Sequence, residues 1–339
     1  MSTVTIRMLA SALNLSAGTV SKALKDSYEI SAETKLKVME MAKKMEYIPN
    51  PYAGGLRKGR SRTIGIVLPV ISDSFFSLAI EGIEAVAHEA GYHVLICLSH
   101  ERYSEEVNIL KDFGSGRVDG VLMSVASETC ESGHIRNLLA REVPVVLFDR
   151  VCDDVKTARV STDDAEAGYT ATKHLAERGC RRIWFLSVSE SLSISKARMQ
   201  GYLRALRDNG LPVDDGNIVL CTGNAEQMEH TITEAILRSR ERGESPDGIV
   251  ASVEKLVTPV YHSCKTLNLS IPGDLKVICF SNMPQAPLLS PALTTITQPA
   301  FDIGKMAASL LFKAMKKADF ALSDASVVLP SMLTIREST

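Results

Sequence analysis

The run Thr5-Ile6-Arg7-Met8-Leu9-Ala10-Ser11-Ala12-Leu13-Asn14-Leu15-Ser16-Ala17-Gly18-Thr19-Val20-Ser21-Lys22-Ala23-Leu24 reads as two short helices joined by a tight turn. Ser16 stands where an N-cap is needed, and Val20 and Leu24, four apart, share one face of the helix that follows. Residues 17, 18, 21 and 22 then point outward. The preceding helix offers Leu9, Ala12 and Leu13 as its packing face, with Asn14-Leu15-Ser16 as the turn. A third helix is expected over 32–46, started by Ser31, Glu33 and Thr34 and carrying Val38, Ala42 and Met45 as a buried stripe. Helix, tight turn and helix is the arrangement that sets one helix into the major groove of DNA, whose width admits a single α-helix.

The charge of the whole chain conceals this head. Over 339 residues the formal net charge is −2, which as an average argues against a polyanionic partner. Residues 1–62, however, hold 11 Lys and Arg against 5 Asp and Glu, a net of +6, which leaves −8 for residues 63–339. A basic head on an acidic body suits a small part that meets a polyanion while the rest does something else. With 45% apolar and 23% charged residues the chain has an ordinary globular composition, long enough for two or three domains, and collagen-like or disordered classes are excluded. The first residues lack the apolar core of a secretory signal and no run approaches a membrane span, so a cytoplasmic protein without membrane contact is expected. The seven cysteines are scattered, with no C-x-x-C pair, and suggest neither a disulfide framework nor a metal site.

From Thr63 onward the texture changes to short β-rich apolar runs (64–68, 94–98, 121–123, 143–148) alternating with helix-like segments near 77–90, 105–116 and 134–141. The alternation restarts with strand candidates at 183–186, 218–221, 249–251 and 277–280 and helical segments near 166–178, 196–208, 226–241 and 256–267. A helix near 302–317 and short runs at 327–329 and 333–335 close the chain. This is the signature of βαβ units and parallel sheets, and two sheets are expected rather than one very wide one. Two α/β lobes revisited by one chain leave a cleft between them, a favoured place for a small ligand.

The head residues, with Ile30-Ser31, Thr34 and Tyr47-Ile48-Pro49-Asn50, closely resemble the DNA-binding head of the LacI/GalR family of bacterial transcription regulators. The resemblance continues through Arg62-Thr63-Ile64-Gly65-Ile66-Val67-Leu68-Pro69, Arg117-Val118-Asp119-Gly120-Val121, Asp163-Asp164, Gly168, Arg198-Met199-Gln200-Gly201-Tyr202, Leu293-Thr294-Thr295-Ile296 and Gln298-Pro299. It implies an α/β protein with a small all-α helix-turn-helix head (1–49), a hinge helix and linker (50–62) and a two-lobed body like the periplasmic sugar-binding proteins (63–339). Each lobe is then a parallel doubly wound sheet, the first about 63–162 and 293–322, the second about 163–291 and 323–339, with crossovers near 161–164, 290–294 and 321–325.

The same resemblance implies a homodimer on palindromic double-stranded operator DNA, controlled by a small-molecule effector. Ala17, Gly18 and Lys22 match the base-reading positions, where lysine can donate to guanine and the two small residues offer close approach. Thr5, Ser16, Thr19, Ser21 and Asn50 match phosphate contacts. In the hinge, Leu56 matches a leucine that wedges into the minor groove and Ala53 a contact with the dimer mate. For the effector, Phe75 and Phe76 match a ring-stacking site whose competing reading is core packing. Ser124, Asp149, Arg150 and Arg198 stand at strand ends and a helix start. Asp149 and Arg198 could instead pair with each other.

The chain departs from the family pattern in the cleft. Val253-Glu254 stands where an Asn-Asp pair is usual, and Cys279-Phe280-Ser281-Asn282 lacks the usual carboxylate that holds sugar hydroxyls. Ser281 and Asn282 are the cleft candidates there, and with two arginines a sugar acid or sugar phosphate is the expected effector beside a plain sugar. No cofactor, metal or catalytic group is expected: no nucleotide-binding glycine motif is present, Ser193-Ile194-Ser195-Lys196 lacks its companion motifs, and the seven histidines show no metal spacing. The alternative is a sugar receptor that never meets DNA, which the basic head opposes.

Overall fold

The computed structural model describes residues 4–47, 61–316 and 321–339, which divide into two compact units between Arg60 and Ser61. In the first, α1 (Ile6–Ala12), α2 (Ala17–Leu24) and α3 (Ala32–Lys44) pack around Leu9, Ala10, Val20, Ala23, Val38 and Ala42. Ala10 and Ala23 take the central places expected of Ala12 and Leu24, which are exposed and half-buried respectively.

The second unit contains two six-stranded sheets. The first lobe holds β1 (Thr63–Leu68), β2 (His93–Leu98), β3 (Gly120–Met123), β4 (Val145–Phe148), β5 (Arg159–Thr162) and β11 (Val327–Leu329), all parallel, in the order β11-β5-β4-β3-β1-β2. Alternation along β1 decides its layers. Ile64, Ile66 and Leu68 face α4 (Ser74–Glu89) and α11 (Ala300–Lys316), whereas Val67 faces α5 (Tyr103–Asp112) and α6 (Gly133–Leu139).

The second lobe repeats the plan. β6 (Ile183–Ser187), β7 (Ile218–Leu220), β8 (Gly248–Ala251), β9 (Lys276–Phe280), β10 (Thr294–Thr297) and β12 (Met332–Thr334) lie in the order β12-β10-β9-β8-β6-β7. One face packs on α7 (Asp164–Glu177) and α8 (Ser193–Asp208), the other on α9 (Ala225–Glu241) and α10 (Val257–Thr266). The sheet is not wholly parallel: β12 runs antiparallel to β10, pairing Ile296 with Leu333. A short edge strand returning from the neighbouring lobe has no crossover helix to turn it round. Among the described residues no helix is long and apolar enough to cross a membrane.

The chain passes between the lobes at Asp163, at Gln298-Pro299 and at residues 330–331. The last two passages lie later than the sequence suggested. Residues 294–297, expected to open the return to the first lobe, still pair with β9 in the second sheet, and residues 327–329, assigned to the second lobe, pair with β5 in the first. Thr294 and Thr295 are buried, with their hydroxyls bonded to Arg336 and to Thr339 and Thr297. The passages brace one another: Ser331 N donates to Asp163 Oδ1 at 2.8 Å, and Gln298 Nε2 donates to Thr162 Oγ1 at 3.1 Å.

Candidate functional site

Two regions concentrate the singled-out residues. In the head, hydroxyl side chains begin α1, α2 and α3. Thr5 Oγ1 accepts from Met8 N at 3.4 Å, Ser16 Oγ from Thr19 N at 3.0 Å and Ser31 Oγ from Thr34 N at 3.3 Å. Each cap satisfies an amide that the helix leaves unpaired and fixes where its helix starts. Ser16 Oγ also shares a 2.8 Å hydrogen bond with Thr19 Oγ1, which places both hydroxyls at the positive end of α2.

The face of α2 opposite Val20 and Ala23 presents Gly18 and Lys22 to solvent, with Ser21 half-buried. Ala17 is less available than expected, because its methyl group packs on the head core. Lys22 is ion-paired with Glu29, both side chains being about half exposed. Asn50, Ala53 and Leu56 lie outside the described residues.

The second region is the cleft between the lobes. Phe75, Phe76, Asp149, Arg150, Arg198, Ser281 and Asn282 converge there, joined by Asp73, Ile194, Val253, Glu254, Phe280 and Gln298. Phe75 and Phe76 stand edge to face at 5.4 Å and are also part of the first lobe's core, so stacking surface and packing coincide in them. Ser124 does not reach the cavity. It is fully buried behind Asp149, 3.5 Å from Oδ2, and its oxygen also accepts the Arg150 amide.

Both arginines arrive with partners. Arg198, 2% exposed, donates from Nε to Asp164 at 2.7 Å and from Nη1 to the Ser252 carbonyl, and its guanidinium lies 4.2 Å from the centre of the Phe280 ring. Its carboxylate partner is therefore Asp164, not Asp149. Arg198 Nη2 is buried with no hydrogen-bond partner among the described residues. Arg150 Nη1 reaches both oxygens of Glu101 at 3.0 and 2.9 Å, and its Nε stands 3.9 Å from Asp149. The positive charge expected to meet a sugar acid is thus already met by the chain's own carboxylates.

Acidic groups remain in surplus. Burial pushes the Asp149 carboxyl up to about 7, against the pull of Arg150 and Arg198. Burial, helped by the charge of Glu254, also raises Asp73, and burial raises Asp164 despite Arg198. Asp149 sits at the end of β4 with φ 58°, a left-handed conformation that aspartate tolerates better than most residues.

The space enclosed by these side chains is about 20 Å³, room for a single water and far below the ~300–1,000 Å³ of small-molecule sites. The lobes are closed on one another. A larger cavity of about 430 Å³ opens beside the Asp163 passage, lined by Thr162, Asp164, Ser193 and Arg204 among others, and Asp149 lines both.

Of the residues that the sequence did not single out, Asp73 had a detectable sign in the Ser72-Asp73-Ser74 run before a helix, and its Oδ1 caps α4 through Phe75 N at 2.9 Å. Gln298 stood in the Gln298-Pro299 landmark. Val253, Glu254 and Phe280 stood in the two departures from the family pattern, whereas Ile194 had no sign, because an apolar side chain lining a cleft reads like one lining a core.

A family model described as bacterial regulatory proteins, lacI family, matches residues 5–50, and one described as a periplasmic binding protein-like domain matches residues 172–339. Catabolite control protein A of Priestia megaterium is 31% identical over 338 residues, 99% of each chain. Among solved structures, the lac repressor dimer bound to operator and the anti-inducer ONPF matches 99% of each chain with a TM-score of 0.84 at 19% identity. A LacI family transcriptional regulator from Enterococcus faecium, with bound ribose, covers 82% of this chain and 98% of its own with a TM-score of 0.71 at 25% identity.

Proposed function

The chain belongs to the lacI family of bacterial regulatory proteins, and from that premise we propose that it is a cytoplasmic regulator that binds a palindromic operator as a homodimer and answers to a small hydroxylated effector in its cleft. The role is regulatory and non-catalytic. The observation that carries it is the capped pair α1 and α2, whose apolar faces are buried together while Gly18, Ser21 and Lys22 remain on the opposite side of α2.

In this reading α2 enters the major groove. Lys22 donates to a base edge and Gly18 lets the backbone approach, with Ala17 at the margin. Thr5, Ser16, Thr19, Ser21 and Asn50 hold phosphates, the Ser16 and Thr19 hydroxyls aided by the dipole of α2. Leu56 wedges into the minor groove and Ala53 meets the dimer mate. Exposed Ile71, Ile96, Leu220 and Leu288 on the two lobes supply apolar surface for dimerisation.

The effector lies between Phe75 and Phe76 on one side and Arg198, Ser281 and Asn282 on the other, with Asp149 and Arg150 at the first-lobe strand ends. Because both guanidinium groups are paired, a neutral sugar, such as the ribose bound to the Enterococcus faecium regulator, suits the cleft better than a sugar acid or phosphate.

Selection of genomic fragments by the full-length protein, followed by titration with salt, tests this. Specific retention that falls steeply with ionic strength through counterion release is expected. Retention of no fragment, or salt-independent binding, refutes it.

A further inference from the structure

Glu254 opens a short 3-10 turn just beyond β8 in the second lobe. Its carboxylate takes four donors, two on each oxygen. Oε1 accepts Ser74 N at 3.0 Å and Ser74 Oγ at 2.7 Å, both at the start of α4 in the first lobe. Oε2 accepts Ser281 Oγ at 2.7 Å and Asn282 N at 3.1 Å, in the second lobe. One oxygen thus serves each lobe, and the group crosses the cleft in the manner of a bound anion.

We propose that Glu254 is a specificity residue of the effector cleft: it fills the cleft's anion-binding donors from within the chain and so bars carboxylate and phosphate ligands. The proposal rests on the cleft reading and sharpens it. Three structural features act together. The amide and hydroxyl of Ser74 stand at the positive end of a helix of 16 residues, a favourable place for negative charge. The remaining cations, Arg150 and Arg198, are held by Glu101 and Asp164. Asp73 and Asp149 line the same cavity, so a second anion meets acidic groups, and the buried guanidinium atoms without a hydrogen-bond partner among the described residues, Arg198 Nη2 and Arg150 Nε, belong to cations whose charge Asp164 and Glu101 already meet. A ligand rich in hydroxyl groups meets no such barrier, since it can donate to these carboxyls.

Replacing Glu254 by alanine removes one methylene and the carboxylate, the atoms of an acetate ion, and leaves four donors behind. The test uses the full-length protein and Glu254→Ala, with Glu254→Ser as a second variant should the first fold poorly. Thermal unfolding is followed while sodium acetate replaces sodium chloride at constant ionic strength, then with sodium gluconate, and with acetamide as the neutral control. Saturable stabilisation of the variant by acetate is expected, with an apparent affinity at least about tenfold above wild type, the worth of one charge-assisted hydrogen bond. Acetamide is expected to do less, and Ser281→Ala in the same background, which removes one of the four donors, to weaken the response.

Equal response of wild type and both variants to acetate overturns the proposal. The cleft reading is then judged separately by the response of the wild type to ribose. An acetate response that Ser281→Ala leaves intact places the anion elsewhere and overturns it too.

Discussion

Arg198 is expected to do two jobs that different substitutions separate. Arg198→Met removes the 2.7 Å bond to Asp164, the bond to the Ser252 carbonyl and the cation–π contact with Phe280. Asp164, 6% exposed, is left as a buried carboxylate without its cation. Breaking one side of such a pair costs about 3–5 kcal/mol, whereas replacing both sides by apolar groups is often neutral or better. Arg198→Met is therefore expected to destabilise by about 3–5 kcal/mol, and the double variant Arg198→Met with Asp164→Leu to recover most of that loss. Urea unfolding is conveniently followed through Trp184, the single tryptophan, which is 2% exposed in β6 of the same lobe. Arg198→Lys keeps the charge beside Asp164 but lacks the unpartnered Nη2. It is expected to retain more stability than Arg198→Met and to lose the response of operator binding to effector. A change below about 1 kcal/mol in Arg198→Met, or a double variant as unstable as the single one, refutes the buried-pair argument.

Asp149→Asn is expected to flatten the pH dependence of stability. The native carboxyl titrates near 7 and the unfolded one near 3.8, so the native state binds the extra proton between these values, and the stability present below about pH 4 is lost as pH rises through 7, by on the order of 4 kcal/mol. Denaturant midpoints from pH 4 to 8 measure it, and parallel curves for wild type and variant contradict the assignment. Gly201→Ala puts a methyl group where α8 meets the carbonyl of Ala165 on α7, so the helices must part; a loss of about 1–3 kcal/mol and a weaker Arg198–Asp164 contact are expected. A variant as stable as wild type shows that the helix pair can slide. In the head, Glu29→Ala releases Lys22 from its ion pair and is expected to strengthen operator binding, with a salt dependence as steep as or steeper than wild type. Lys22→Ala is expected to relax base preference at one position of each half-site; equal loss on specific and random DNA moves Lys22 to the phosphate-binding set.

The features legible in the sequence are those that depend on near neighbours. Caps at Ser16 and Ser31, and the short apolar run at 64–68 as a strand, follow from local spacing. Residues 294–297 were illegible because their burial depends on strand β9 and on Arg336, which the chain reaches only after visiting the other lobe. The same limit applies in the cleft. Phe75 and Asp149 could be placed at a helix start and a strand end, whereas Arg198, expected to begin its helix, lies in the second turn of α8, and that it prefers Asp164 to Asp149 is set by how α7 and α8 pack. Glu254 is visible in the sequence only as a departure from a family pattern; its four hydrogen bonds join segments about 27 and 180 residues away.

The closed cleft constrains how any effector can act. With about 20 Å³ free, a sugar enters only after the lobes separate, and separation breaks the two bonds from Ser74 to Glu254. Those bonds are made in the closed state alone, so they bias the empty protein toward closure and subtract the same free energy from the affinity of any ligand that needs the open form. A ligand that then closes the lobes around itself must replace the Ser74 contacts with its own. If the operator favours one lobe arrangement, a change at Ser74 or Glu254 must therefore alter effector affinity and operator affinity by linked amounts, because coupling between two binding sites is reciprocal. Ser74→Ala, which removes one of the two cross-cleft bonds and leaves the helix cap at Asp73 in place, is the mildest change that reads out this linkage. It is expected to raise the affinity for ribose in the absence of operator by up to about tenfold. An unchanged ribose affinity, with ribose binding established in the wild type, removes the cross-cleft bond from the allosteric account.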